Sequence, residues 1–326
     1  MIKKWLTSEL DKAKTLSEAP KTFRRADESE RLTVVLNDDG VTLSHARYVI
    51  HEKDFRDMKP YLDEISKFGK STTRDDGIEL MCIWAGVQDG IADVHYNKSI
   101  VLPDVSVTQA TVDGEYFSLE THIRPLLKEA IIGLRPLVED LKTISEVLMG
   151  NEATQSTKLI HEIVAKHGDI LFPGFTACFA TSTKCGRGTK YHLDLSNHSY
   201  SIGVLIPIYT GNPTPRNVKP MLYLSDSDTW INLEENEVAF IPFQDKKHVV
   251  RLYPPEIAAE LTEEEQEACW KERTSLILTD SLRTSNFIVR QHPEMFLRYA
   301  KIVKRGNVEE VEWIAKHIIS YLADKK

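Results

Sequence analysis

The sequence predicts an α+β fold. Three observations carry this. From about residue 170 to 290, short β-rich runs alternate with turns, the texture of an antiparallel sandwich or barrel. Before that region, long stretches repeat their apolar residues with helical spacing. After it, 293–304 and 307–324 read as two closing helices, the last with Trp313, Ile314, Ile318, Ile319 and Leu322 on one stripe.

The elements follow in order. Residues 1 to about 30 are charged and hold one short helical pattern. Leu32–Leu36 and Val41–Leu43 flank Asn37-Asp38-Asp39-Gly40, the pattern of a hairpin. Residues 54–68 predict a helix with Phe55, Met58, Tyr61, Leu62 and Ile65 inward, and 78–87 predict a strand. Residues 118–149 predict helix, with Ile123, Leu126, Leu127, Ala130 and Ile131 on one face and a break at Pro136. A further helix is expected at 154–166. The β-rich runs are 175–183, 200–209, 221–224, 237–243, 248–253 and 274–279. No Pro/Gly/Ser-rich linker divides the chain, so one compact unit is expected. Within it, 1–164 is a supporting α/β region, 165–290 the core and 291–326 the closing helices.

Composition narrows the function. The hydrophobic fraction is 41% and the formal net charge -8. An acidic chain is not coated for nucleic acid or anionic membrane, so nucleic acid is possible as a partner but not favoured by charge. The four cysteines, Cys82, Cys178, Cys185 and Cys269, form no CxxC pair and read as reduced thiols. No apolar leader or bilayer-length run is visible, so a cytoplasmic or nuclear location is expected, with no secretion and no membrane partner.

The chemistry-bearing residues lie in the β-rich region. On a strand, i and i+2 point the same way, so His192 and Asp194 would face one side together. His248 opens the strand that follows the polar turn Gln244-Asp245-Lys246-Lys247. Two imidazoles and a carboxylate suit a metal that keeps open positions. A second His-x-Asp, His167-Gly168-Asp169, reads instead as a helix C-terminus.

With Arg273-Thr274-Ser275 added, this pattern resembles the Fe(II)/2-oxoglutarate-dependent oxygenase superfamily. Met221-Leu222-Tyr223-Leu224, Trp230-Ile231-Asn232-Leu233 and the run 237–243 add to the likeness, which spans roughly 170–285. It implies a double-stranded β-helix (jelly-roll) core. It implies His192, Asp194 and His248 as Fe(II) ligands. Arg273 would pair with the distal carboxylate of 2-oxoglutarate, Ser275 would add a hydrogen bond, and O2 would be the co-substrate. Tyr191, Asn197 and His198 are candidates for the pocket, and His198 is also an alternative ligand.

This chain departs from the family in one respect. Arg273 lies 25 positions beyond His248, further than in most members. Pro254–Trp270 reads as a helical insertion, which a loop tolerates. Arg251 is nearer in sequence, but its odd separation from His248 puts it on the opposite strand face.

The reaction is expected to be hydroxylation or oxidative demethylation. The primary substrate is unknown, with a small molecule ranked above a nucleobase or a protein. The alternatives are a cupin-like metal enzyme and a non-catalytic β-sandwich binding module.

Overall fold

A computed structural model describes residues 6, 8–24, 30–67, 70–73, 79–86, 106–110, 116–118, 123–164, 177–183, 191–194 and 202–280. The expected helices at 293–304 and 307–324, the expected region 291–326, the 167–169 motif, Asn197 and His198 lie outside these residues.

The N-terminal strands are β1 (Lys14–Thr15), β2 (Thr22–Phe23), β3 (Leu32–Leu36) and β4 (Leu43–Val49). Helix α1 (Glu52–Lys67) follows, then β5 (Lys70–Thr73), β6 (Glu79–Gly86), β7 (Ser106–Ala110), β8 (Tyr116–Ser118) and helix α2 (Ile123–Val164). The second half holds β9 (Ala177–Thr183), β10 (Gly203–Tyr209), β11 (Lys219–Leu224), β12 (Thr229–Ile231), β13 (Glu237–Ile241) and β14 (His248–Tyr253). Two short helices, α3 (Pro255–Ala258) and α4 (Glu263–Trp270), precede β15 (Arg273–Thr279).

These strands form two sheets of a sandwich. The large sheet has nine strands in the order β1-β3-β4-β13-β10-β15-β9-β6-β5. The small sheet has the order β14-β11-β12-β2, and β7 and β8 pair by themselves. From β10 onward the chain shuttles between sheets: β10 in the large, β11 and β12 in the small, β13 in the large, β14 in the small, β15 in the large.

Alternation along β10 decides which layer each side chain enters. Val204, Ile206 and Ile208 point away from the small sheet, into a cluster with Met58 and Leu62 of α1 and Leu134, Leu137, Val138, Leu141 and Ile144 of α2. Leu205 points between the sheets, among Leu222, Leu224, Ile231, Ala239, Ile241 and Phe243. A strand covered on both faces must be apolar on both, and β10 is buried along all but its last residue.

The N-terminal region is continuous with this sandwich. β4 pairs antiparallel with β13, with Ala239 opposite Arg47. The Arg47 side chain is fully buried and bridges Glu237 at 3.4 Å and Glu30 at 3.0 Å. It also donates to Thr33 at 2.9 Å. Three strands are thereby cross-linked by one desolvated cation. Each buried charge here is paired, which is the condition for tolerating it.

The break expected at Pro136 falls elsewhere. Residues 123–164 run as helix through Pro136, and the non-helical backbone is at Gly150, with φ of 79°. Pro136 frees the carbonyl of Ile132, four residues earlier. Ile132 is exposed, so water can satisfy that oxygen. The positive φ at position 150 suits glycine, which has no Cβ to clash. Tyr61 also departs from the inward stripe expected for α1. It is exposed and lies over Gly133 of α2, where a Cβ would fall 2.5 Å from its ring.

The insertion between His248 and Arg273 is helical as expected, in two pieces. Thr262 caps α4, accepting from the Glu265 amide at 3.2 Å, while the Glu265 carboxylate accepts from the Thr262 amide at 2.8 Å. Trp270, Cys269, Ala258 and Leu261 pack with Val218 and Leu252 over one end of the sandwich. Among the described residues, no helix is long and apolar enough to cross a membrane.

Candidate metal centre

β13 leaves the large sheet at Ile241 and must turn to enter the small one. The amides of Asp245 and Lys246 both donate to the Pro242 carbonyl, at 2.9 and 3.0 Å. This tight turn delivers His248 as the first residue of β14. Opposite it, His192 forms an isolated antiparallel bridge with His248. Each residue's amide donates to the other's carbonyl, at 3.1 and 3.0 Å. The Asp194 amide donates to the Phe243 carbonyl at 3.1 Å. One turn therefore touches the backbone of all three residues that the sequence pairs as metal ligands.

Their side chains converge. One ligand atom from each of His192, Asp194 and His248 lies within 4.8 Å of the others. His192 Nε2 is 3.5 Å from Asp194 Oδ1, and His248 Nε2 is 3.8 Å from Asp194 Oδ2. The two imidazole rings are 4.3 Å apart and tilted by 51°. Two nitrogens and a carboxylate gathered at one point match the donor set of a non-haem Fe(II) site with open positions.

His248 is the most enclosed of the three. Its Nδ1 donates to the Lys246 carbonyl at 2.8 Å, and its ring lies 4.8 Å from that of Phe243. A proton held on Nδ1 leaves Nε2 as a bare lone pair facing Asp194. Burial pushes the His248 pKa down, while the Asp194 carboxylate pulls it back up and His192 adds to the lowering. The neutral imidazole that a metal needs is thus the form burial favours.

Arg273 and Ser275 occupy the other wall. Both are buried on β15, opposite Tyr209 and Pro207 of β10. Leu276 and Leu278 point to the helices, while Ile277 packs between the sheets. By alternation, Arg273 and Ser275 also face the space between the sheets. His248 shares its strand face with Val250, which packs in the same inter-sheet layer.

Arg273 hydrogen-bonds the Tyr209 side chain, and burial lowers its pKa. Tyr209 in turn donates to the Leu233 carbonyl at 2.6 Å. Burial raises the Tyr209 pKa, so it stays a neutral phenol. The sequence reading leaves Tyr209 out. The signal was present: the even-numbered stripe Ile202–Ile208 faces the helices, so the odd-numbered Tyr209 must face the other layer.

Tyr191 is exposed, with the Arg251 guanidinium 5.0 Å and the Lys247 ammonium 5.8 Å from its ring. Tyr223 lies 6.3 Å away. Arg251 is itself exposed, on the strand face opposite His248. Leu193, between the two ligands, is exposed as well.

No family model matches this sequence, and no curated protein matches it significantly. Solved structures do. The structure of NgTET1 in complex with 5mC DNA matches with a TM-score of 0.50 and 12% identity, covering 86% of this chain and 92% of that one. A Pseudomonas putida prolyl-4-hydroxylase matches with a TM-score of 0.38 and 10% identity, covering 74% of this chain and 96% of that one. An oxidoreductase of the 2OG-Fe(II) oxygenase family from Burkholderia pseudomallei gives 0.35 and 11%, covering 80% and 94%. Over most of its length, the chain shares the fold of the NgTET1 structure.

Proposed function

We propose that this chain is an Fe(II)/2-oxoglutarate-dependent oxygenase acting by hydroxylation or oxidative demethylation. The convergence of His192, Asp194 and His248 carries this reading. The shuttling of strands between two sheets supports a jelly-roll core within 165–290, with 1–164 as its support.

His192, Asp194 and His248 would hold the iron. Bound iron with 2-oxoglutarate and O2 would supply the oxidising power. The chain's own residues position and exclude. The Phe243 ring and the Lys246 carbonyl fix the His248 imidazole in the ligating tautomer. Arg273, buried between the sheets, offers a planar fork for the distal carboxylate of 2-oxoglutarate. Ser275 offers a hydroxyl on the same face, and Tyr209 braces the guanidinium. A guanidinium buried between the sheets beside the Tyr209 hydroxyl suits an anionic occupant.

For the primary substrate, the net charge of -8 favours a small molecule over a polyanion. Tyr191, Asn197 and His198 remain the proposed pocket residues. The test is turnover. Iron-loaded protein should convert labelled 2-oxoglutarate to succinate and CO2, and His192→Ala should abolish this. No succinate under anaerobic iron loading followed by O2 would refute the reading.

A further inference from the structure

The turn that presents the metal ligands is held from outside the sandwich core. Lys246 is buried, and its Nζ donates to the Asn37 side-chain oxygen. Asn37 belongs to the turn between β3 and β4, far away in sequence. That turn is itself fixed. The Asn37 amide donates to the Thr42 carbonyl at 2.8 Å, and Asn37 Nδ2 donates to Thr42 Oγ1 at 2.7 Å. Asp39 accepts from the amides of Val41 and Thr42 at 2.8 and 2.9 Å. Gly40 takes the positive φ of 67° that closes the turn. With Nδ2 committed to Thr42, Oδ1 is the atom left to face Lys246.

The other end of Lys246 is the carbonyl that accepts the His248 Nδ1 proton. Its neighbour Lys247 is held separately, its amide donating to Asp226 at 2.9 Å and its carbonyl accepting from the Ser225 amide at 2.9 Å. The side chain of Lys246 and the tautomer of His248 are therefore two ends of one residue.

We propose that the Asn37–Lys246 contact is a tether through which the β3–β4 hairpin sets the metal-presenting turn, making Asn37 and Lys246 positioning residues for the metal site. This rests on the metal reading given above. The hairpin turn reaches the site through the Lys246 side chain. It acts by fixing the Lys246 carbonyl, and with it the direction of the His248 lone pair.

The test is Co(II) binding to the apo-protein under anaerobic conditions, by calorimetry and by the visible ligand-field spectrum, alongside urea unfolding of the apo form. Asn37→Ala and Lys246→Met should each weaken binding about tenfold and alter the spectrum, the usual scale for losing a group that orients a ligand. The double variant should be no worse than the weaker single, because both remove one contact. Asn37→Asp keeps an acceptor oxygen and should recover most of the affinity. Val41→Ser, at the exposed hairpin tip, should bind as the parent does. Variants that are less stable yet bind with parental affinity and spectrum would overturn the tether. If Lys246→Met does not fold, the Asn37→Ala and Asn37→Asp pair decides the matter. Failure of the parent to bind Co(II) would instead sink the metal reading, and the tether with it.

Discussion

Gly203 lies beneath the ring of Phe243. A Cβ at position 203 would fall 2.3 Å from Phe243 Cδ2 and 2.6 Å from Cε2. The same ring packs 4.8 Å from His248, so β10 controls the space in which this proposed metal ligand is oriented. Gly203→Ala forces the ring to move. Overpacking of this kind costs about 1–3 kcal/mol. The expected outcome is a folded, less stable protein whose metal affinity also falls. Denaturant unfolding and metal titration on the same samples check it, and an unchanged metal affinity would show that Phe243 gives way without disturbing His248.

Arg47 is the buried cation joining β3, β4 and β13. Removing it takes the cation from Glu237, which is fully buried. Arg47→Met should therefore destabilise by roughly 3–5 kcal/mol, the cost of breaking a buried pair on one side. Urea unfolding reads this directly. A loss below 1 kcal/mol would mean that Glu237 takes up a proton or finds another donor.

His45 gives the fold a pH dependence. It is buried beside Phe23, and burial together with the Lys246 cation lowers its pKa from 6.5 to about 3. The folded value lies below the unfolded one, so the unfolded chain binds the extra proton across this window. His45 is therefore silent near neutral pH and destabilises progressively as pH falls from about 6.5 towards 3. The slope it adds is roughly 1.4 kcal/mol per pH unit. Unfolding free energies at pH 7 and pH 5 should differ less in His45→Leu than in the parent. Equal differences would show that His45 finds a proton acceptor when charged.

Arg273→Met addresses the proposed co-substrate site. Losing one partner of a buried charge pair costs roughly 2–5 kcal/mol, so the KM for 2-oxoglutarate should rise about thirtyfold or more. Tyr209→Phe, which removes only the brace, should raise it far less. An Arg273 variant with parental KM would contradict the proposed carboxylate contact.

Much of the sandwich was legible because each strand carries its own pattern. The runs at 200–209 and 237–243 emerge as β10 and β13 with trimmed ends, 248–253 is β14 as expected, and 274–279 is β15 with one residue added at its start. Strand alternation put His192 and Asp194 on one face, the surrounding β-rich context set them apart from the 167–169 copy, and their ligand atoms do converge. Arg273 still opens a strand beyond the helical insertion because loops absorb length. What stayed hidden depends on partners distant in sequence. The pairing of β4 with β13 makes the N-terminal hairpin part of the large sheet, and nothing local to 43–49 names its neighbour. β1 and β2 are two residues each and exist only because β3 and β12 lie beside them. Lys246 reads as one more charge in a polar turn until Asn37 is placed against it. The helix break moved from Pro136 to Gly150 because the exposure of Ile132, a tertiary property, decided the cost of the proline.

The most direct measurement is anaerobic titration of apo-protein with Fe(II), or Mn(II) as its redox-stable substitute, in the presence of 2-oxoglutarate. The account predicts one metal per chain. Substituting alanine at His192, Asp194 or His248 should weaken binding at least a hundredfold while each variant remains folded by circular dichroism. Binding that survives all three substitutions, or a parent protein that takes up no metal, would contradict it.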